Sequence, residues 1–157
     1  MEAALKTFFS SPRFAVAGAS SDPSKFGHKV LQWYLLHSLP VTPLNPRVPT
    51  VSVRSTTYNT VASPASLPSP TETALSVITP PKVTLALLKE AKEAGIKAVW
   101  LQPGTFDDEV LEFARQGFEA AIAGMEEGTV GDEGWCVLVD GEDGLRVAGR
   151  KWKRGKL

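Results

Sequence analysis

The side chains able to carry out bond-making chemistry are few and far apart in this sequence. His28 and His37 are the only histidines and Cys136 is the only cysteine. A reaction needs a nucleophile, a base or a metal held within reach of one another. Asp107, Asp108 and Glu109 are contiguous acids, but they precede the apolar positions Val110, Leu111 and Ala114. There they read as first-turn residues that complement a helix dipole. Cys136 can form neither an internal disulfide nor a cysteine-rich zinc site. Between Trp135 and Val137 it reads as a small buried hydrophobe, with a thiol-exchange role beside a thiol cofactor as the alternative. His28 reads as exposed or helix-packing, with ligand contact as its alternative, and His37 as a residue that complements the end of a helix. No triad, metal cluster or acid pair emerges, so the chemistry on offer is recognition.

The stretch suited to recognition is Phe14-Ala-Val-Ala-Gly18-Ala-Ser-Ser-Asp-Pro-Ser-Lys-Phe-Gly27. A continuous apolar run is the signature of a buried parallel strand. Gly18 ends it where a backbone turns sharply or passes close to a ligand. Ser20, Ser21, Asp22 and Ser24 then supply hydroxyls and a cap before the helical positions Val30, Leu31, Tyr34 and Leu35. Amides at such a helix start carry partial positive charge and can receive an anion. An ordinary strand-to-helix turn has the same local pattern.

Elements in alternation position this loop. Ala3, Leu5, Phe8 and Phe9 predict a short helix ended by Ser10, Ser11 and Pro12 that packs over the edge of the fold. Arg13 to Ala17 is the first predicted strand, Gly27 to His37 a helix, and Val41 to Leu44 a second strand leaving through Asn45-Pro46-Arg47-Val48-Pro49. Thr50 to Val53 predicts a short strand or bulge inside a Ser-, Thr- and Pro-rich surface connection running to Pro70. Thr73 to Ile78 is a third strand, ending at Thr79-Pro80-Pro81. Val83, Leu87, Leu88 and Ala91 mark a helix from Lys82 with Gly95 as its C-terminal cap. Ile96 to Leu101 is a fourth strand, followed by Gln102-Pro103-Gly104-Thr105, an acid-started helix and a fifth strand at Phe118 to Ala123. The alternation predicts an α/β fold of three layers, an open parallel five-stranded sheet with helices on both faces. Beyond Gly124, Trp135 to Val139 and Leu145 to Ala148, joined by Asp140-Gly-Glu-Asp-Gly144, predict a β-hairpin. The basic tail Arg150 to Lys156 reads as a solvated terminus, or as a clamp on an anionic ligand or acidic partner.

In an open parallel sheet the ligand lies outside the carboxyl ends of the strands, where the strand order reverses. Those ends carry Gly18-Ala19-Ser20-Ser21, Asn45-Pro46-Arg47, Thr79-Pro80-Pro81 and Gln102-Pro103-Gly104. Their coincidence points to a nucleotide. An NAD site would show closely spaced glycines and an acid after the second strand. Here the next glycine after Gly18 is Gly27, and the second strand leaves through Arg47, which favours a ribose bearing a phosphate. Coenzyme A and NADP both qualify.

Gly18-Ala-Ser with Pro23-Ser-Lys25 and Gly27, then Val41-Thr-Pro-Leu-Asn-Pro46, Thr79-Pro-Pro81 and Val99-Trp-Leu-Gln-Pro-Gly104, together resemble the CoA-binding-domain proteins. These are similar to the N-terminal domain of the succinyl-CoA synthetase α subunit. The resemblance covers roughly Arg13 to Val139 and implies a Rossmann-like fold holding coenzyme A across the strand ends. It places Gly18, Ala19, Ser20 and Ser21 at the pyrophosphate and Asn45, Pro46 and Arg47 at the adenosine and its phosphates, and it counts Lys25, Phe26 and Gly27 among the cofactor-binding residues. Thr79, Pro80 and Pro81 with Gln102, Pro103 and Gly104 then form the remaining wall. Cys136 falls where many members have a cysteine. The Thr50 to Pro70 segment, the acidic stretch Glu126 to Glu133, and the expected hairpin with its basic tail depart from the compact members. The part of the synthetase that carries its phosphorylated histidine has no counterpart here, so ligase activity is not carried over.

Bulk properties agree with this reading. The chain of 157 residues is the size of one domain, expected over 1–157 with 125–157 as a C-terminal extension atypical of the family. Hydrophobic residues make up 43% and charged residues 22%, the balance of a globular protein rather than a disordered one. A formal net charge of +0 gives no electrostatic case for nucleic acid or an anionic membrane. The first residues do not make a signal peptide and no apolar run approaches the ~20 residues of a membrane span. The expected location is the cytoplasm, with the mitochondrion open. The leading expectation is a small-molecule binding protein for coenzyme A or an acyl-CoA, without catalytic residues. An NADP-dependent oxidoreductase and a regulatory or protein-interaction module are the alternatives, with any protein partner unknown.

Overall fold

The alternating pattern becomes a parallel sheet in the computed structural model, which describes residues 1–126, 128–130 and 132–157. In chain order the elements are α1 (Glu2–Phe9), β1 (Arg13–Ala17), α2 (Phe26–Leu36), β2 (Val41–Leu44), β3 (Thr50–Val53), β4 (Thr56–Asn59), β5 (Thr73–Val77), α3 (Pro81–Ala94), β6 (Ala98–Leu101), α4 (Asp108–Gly117), β7 (Ala120–Ile122) and α5 (Val137–Val147). Five strands pair in parallel in the order β2-β1-β5-β6-β7. The chain builds leftward from β1 to β2, then rightward through β5, β6 and β7. The order therefore reverses between β1 and β5.

Residues that alternate along each strand face opposite layers. Phe14 and Val16, with Ala74, Ala98, Trp100 and Ile122, face the core that α1, α2 and α5 cover. Ala15 and Ala17, with Leu75, Val77, Val99 and Leu101, face the core under α3 and α4. The expected three-layer α/β architecture is the one found. Gly95 closes α3 in the left-handed region at φ 93°, as its position after the apolar face predicts.

The C-terminal segment differs from expectation. No hairpin forms at 135–148; Val137 to Val147 is the helix α5. The glycines that suggested a turn serve close packing. A Cβ on Gly141 would stand 2.3 Å from Trp33 Cζ2, and one on Gly144 would stand 2.6 Å from Phe9 Cε2. Three residues apart, both face the same side of the helix and let it lie against α2 and α1. The two-stranded antiparallel sheet of this fold is instead β3–β4.

Two further expectations change in detail. Helix α1 covers a sheet face rather than only an edge: Phe8 and Phe9 reach Trp100 with ring centroids 5.6 and 5.9 Å away. The Ser- and Thr-rich connection is more than a surface loop, because Val51 and Val53 of β3 are fully buried in the α1–α2–α5 core. Past β4, Val61 donates to Pro43 and accepts from Asn45, which shields the open side of the edge strand β2.

The basic tail lies away from the strand exits. Gly155 donates its amide to Leu36 at 2.7 Å, Ser38 Oγ donates to Lys153 at 2.8 Å, and the Trp152 ring stands 4.3 Å from His37. These contacts are at the far end of α2, about 15 Å from its first turn at 1.5 Å per residue. The clamp reading is thus overturned for a ligand at the strand ends. Positions 127 and 131, inside the acidic stretch Glu126 to Glu133, lie outside the described residues.

Candidate functional site

At the reversal point the exits of β1, β2 and β5 come together around a cleft of about 780 Å³. Gly18 makes this closeness possible. It sits at φ 90°, and a Cβ there would be 2.6 Å from the Ile78 carbonyl oxygen. Gly27 does the same from the other side, since its Cβ would stand 1.9 Å from the Gly18 carbonyl oxygen. Both glycines are required by neighbouring backbone, so the loop and the start of α2 form one surface.

Hydrogen bonds within the loop hold that surface in place. His28 is buried and its Nδ1 donates to the Ser20 carbonyl at 2.9 Å, which makes it a brace behind the loop. Asp22 accepts from the Ser24 amide and hydroxyl at 2.9 and 2.8 Å, and these bonds hold its carboxyl below the usual carboxylate range. Asn45 ties the second exit to the first: its Nδ2 donates to Ala19 at 2.9 Å while its Oδ1 accepts from the Arg47 amide at 2.8 Å. Thr79 Oγ1 lies 2.7 Å from Thr84 Oγ1, closing the third exit onto α3.

The electrostatics favour an anion. Helix α4 neutralises its own positive end, with Asp107 accepting from the Val110 amide and Asp108 and Glu109 in the first turn. Helix α2 has no acid in its first turn and carries Lys25 at its N-cap. A cation is unfavourable there for the helix alone and useful beside a bound anion. Lys25 and Arg47 both line the cleft, and neither forms an ion pair among the described residues. Opposite them Val83, Ala86 and Leu87 of α3 form an apolar wall with Leu44. Half of Val83 remains exposed, which marks it as part of the cleft lip rather than of the helix's buried face.

Of the residues expected at the site, Gly18, Ala19, Ser20, Lys25, Phe26, Gly27, Asn45, Pro46, Arg47, Thr79 and Pro80 line this cleft. Ser21 does not; its Oγ accepts from the Ser52 amide at 2.9 Å and anchors the β3–β4 hairpin. Pro81 opens α3 behind the rim. Gln102 and Pro103 line a second, smaller chamber of about 320 Å³, and Gly104 lines neither. Sequence reasoning missed the α3 wall, together with Ala62, Ser63 and Glu90. The one available signal was Val83, whose apolar position precedes the buried run of its helix.

The second chamber adjoins the first, sharing Phe26 and Ile78, and is completed by Val30, Cys136, Leu138 and Val139. Burial pushes the Cys136 thiol up, so it stays protonated at neutral pH. The entry to α5 is tied down by buried groups. Asp140 accepts from Thr129 Oγ1, the Val130 amide and the Cys136 amide, and Gln102 Oε1 accepts from the Val137 amide at 2.9 Å. Among the described residues, no group of His, Cys, Asp and Glu is placed to hold a metal ion, and no helix is long and apolar enough to cross a membrane.

An open parallel sheet receives its ligands in the crevice at its topological switch point, which is where this cleft lies. The CoA binding domain family matches residues 12–139, and the chain belongs to that family. The match begins just before β1 and ends in the first turn of α5. Solved structures agree. A conserved hypothetical protein from Pyrococcus furiosus is 32% identical, with 69% of this chain and 90% of that one covered at a TM-score of 0.61. A protein from Thermus thermophilus is 26% identical over 78% of this chain and 90% of that one, at a TM-score of 0.65. A hypothetical protein from Pyrococcus horikoshii, 23% identical over 78% and 84% with a TM-score of 0.67, shares the fold. No curated protein matches the chain.

Proposed function

We propose that the protein binds coenzyme A or an acyl-CoA, with the nucleotide portion in the larger cleft. The observation that carries this reading is the pairing of an acid-free helix start with Lys25 and Arg47, two cations that form no ion pair among the described residues, on one cleft. In this arrangement the first-turn amides of α2 and Lys25 face the pyrophosphate. The apolar wall of Val83, Ala86 and Leu87 suits the face of an adenine, and Arg47 meets the ribose phosphate. A charge-assisted contact of this kind contributes about 1.5–3 kcal/mol, or about ten- to a hundredfold in affinity. Family membership supports coenzyme A over NADP as the ligand.

Titration calorimetry tests the assignment. Coenzyme A binds, dephospho-coenzyme A binds at least about tenfold more weakly, and Arg47→Ala removes the difference between them. Equal affinities for the two ligands in the unmodified protein would show that Arg47 does not read the ribose phosphate. NADPH binding that coenzyme A fails to displace would transfer the cleft to the other nucleotide.

A further inference from the structure

At the third strand exit the direction of each hydroxyl proton follows from its neighbours. Thr84, in the first turn of α3, is fully buried. Its Oγ1 lies 2.9 Å from the Thr79 carbonyl oxygen, 3.0 Å from the Pro80 carbonyl oxygen and 2.7 Å from Thr79 Oγ1. A hydroxyl has one proton to donate and lone pairs with which to accept. Carbonyl oxygens only accept, so the Thr84 proton goes to them, the back-bond common to helical threonines. The Thr79 hydroxyl then supplies the proton on the contact between the two side chains. The reverse arrangement would set Thr84 Oγ1 against two carbonyl oxygens with no proton between them, which is costly in a buried position. Thr79 is left with lone pairs to offer and no proton. It is half-buried and lines the larger cleft, its Cγ2 only 3.4 Å from where a Cβ on Gly18 would stand, with Val83 of the apolar wall four residues further on. A phosphate oxygen, itself an acceptor, gains nothing from such a group, whereas a ligand hydroxyl does. With the pyrophosphate at the start of α2 and the adenine against α3, the part of the ligand between them is the ribose.

We propose that Thr79 accepts a hydrogen bond from the 2′-hydroxyl of the bound ribose, and so selects a ribose phosphorylated at the 3′ position over one phosphorylated at the 2′ position. A 2′-phosphate has no hydroxyl to donate there and sets its own oxygens against the Thr79 lone pairs. Thr84 touches no ligand; it is a positioning residue that holds the Thr79 proton away from the cleft. The proposal rests on the coenzyme A reading of the cleft and deepens it. Arg47 supplies charge for a ribose phosphate, and Thr79 decides which oxygen carries it.

Calorimetry with coenzyme A, its 2′-deoxy analogue and its isomer carrying the phosphate on the 2′ oxygen tests this. On the unmodified protein the 2′-deoxy analogue binds about fivefold more weakly than coenzyme A, the worth of one hydrogen bond. The isomer binds at least about tenfold more weakly, because it also leaves an acceptor facing an acceptor. Thr79→Val removes the difference between coenzyme A and the 2′-deoxy analogue. Thr84→Val frees the Thr79 proton for the ligand, so the isomer gains at least about fivefold relative to coenzyme A. Thr84→Ser keeps the bond to the carbonyls and restores the ranking of the unmodified protein. A merely structural role for Thr84 would weaken all three ligands alike. The melting temperature checks that each variant is folded, and should Thr84→Val not fold, Thr79→Val decides. If coenzyme A and its 2′-deoxy analogue bind the unmodified protein equally, or if folded Thr84→Val leaves the ranking of the three unchanged, the role of Thr79 is overturned and the nucleotide reading stands. If coenzyme A itself does not bind, both fall.

Discussion

At Asn45 both ends of one side-chain amide are committed to backbone, to the Ala19 carbonyl and the Arg47 amide. This residue joins the first and second strand exits rather than presenting a free group to a ligand. Asn45→Ala is expected to lower unfolding free energy by roughly 1–2 kcal/mol, the worth of the lost bonds, and to weaken coenzyme A several-fold by loosening the two loops. Denaturant titration beside calorimetry checks this. Complete loss of binding at unchanged stability would make Asn45 a direct ligand contact instead. Cys136 gives a second residue-scale expectation. Its raised thiol pKa keeps the thiolate a minority, so alkylation by iodoacetamide should be slower than for free cysteine at neutral pH and should still be rising above pH 9. Much of the cleft was legible at this scale, because Gly18, Lys25, Asn45 and Arg47 stand at strand exits that apolar runs delimit. Ser21 and Gln102 were grouped with them and belong elsewhere. Their partners, Ser52 and Val137, are 31 and 35 residues away in the chain, and a pairing of that span leaves no mark in local periodicity.

Helix α5 shows how one element escaped a local reading. Asp140-Gly-Glu-Asp-Gly144 has turn composition, yet Gly141 and Gly144 sit where any side chain would strike Trp33 and Phe9. Composition reports what a glycine allows, and only the neighbouring helix reveals which use is made of it. Helix propensity alone predicts that alanine stabilises an interior helical glycine by about 1 kcal/mol. At Gly141 the opposite is expected: Gly141→Ala destabilises by roughly 1–3 kcal/mol through overpacking against the buried Trp33 ring. Gly117 is the contrast. It lies in the last turn of α4 and a Cβ there meets Lys92 Cδ at 3.5 Å and Phe113 Cε1 at 3.7 Å, ordinary contact. Gly117→Ala should therefore stabilise, by up to about 1 kcal/mol. Thermal or urea unfolding of the two variants decides it, and stabilisation by both would show that α5 does not pack as described.

For the molecule as a whole, the cleft and the C-terminal anchor lie at opposite ends of the sheet. The cleft lies at the carboxyl ends of β1, β2 and β5, while the C-terminal residues pack at the opposite end against the last turn of α2. Arg150 strengthens that anchor: its Nη1 donates to the Phe9 and Ser11 carbonyls at 2.9 and 2.6 Å, and its guanidinium lies 5.1 Å from the Phe14 ring. A basic tail read from sequence as a free terminus or an anion clamp is thus a strap across α1 and α2, its direction set by carbonyls that no charge count reveals. Ligand and strap should contribute to stability independently, because sites far apart with no shared partner are close to additive. Trp152→Ala removes the ring beside His37 and is expected to lower the melting temperature by about 2–4 °C for each kcal/mol lost. Its affinity for coenzyme A should stay within about twofold of the unmodified protein. Coenzyme A at a hundred times its dissociation constant should then raise the melting temperature of both proteins equally, by the increment that about 2.7 kcal/mol of binding linkage supplies. A smaller ligand-induced rise in Trp152→Ala would mean that α2 couples its two ends, and that the strap tunes the first turn of α2 from the far end of the helix.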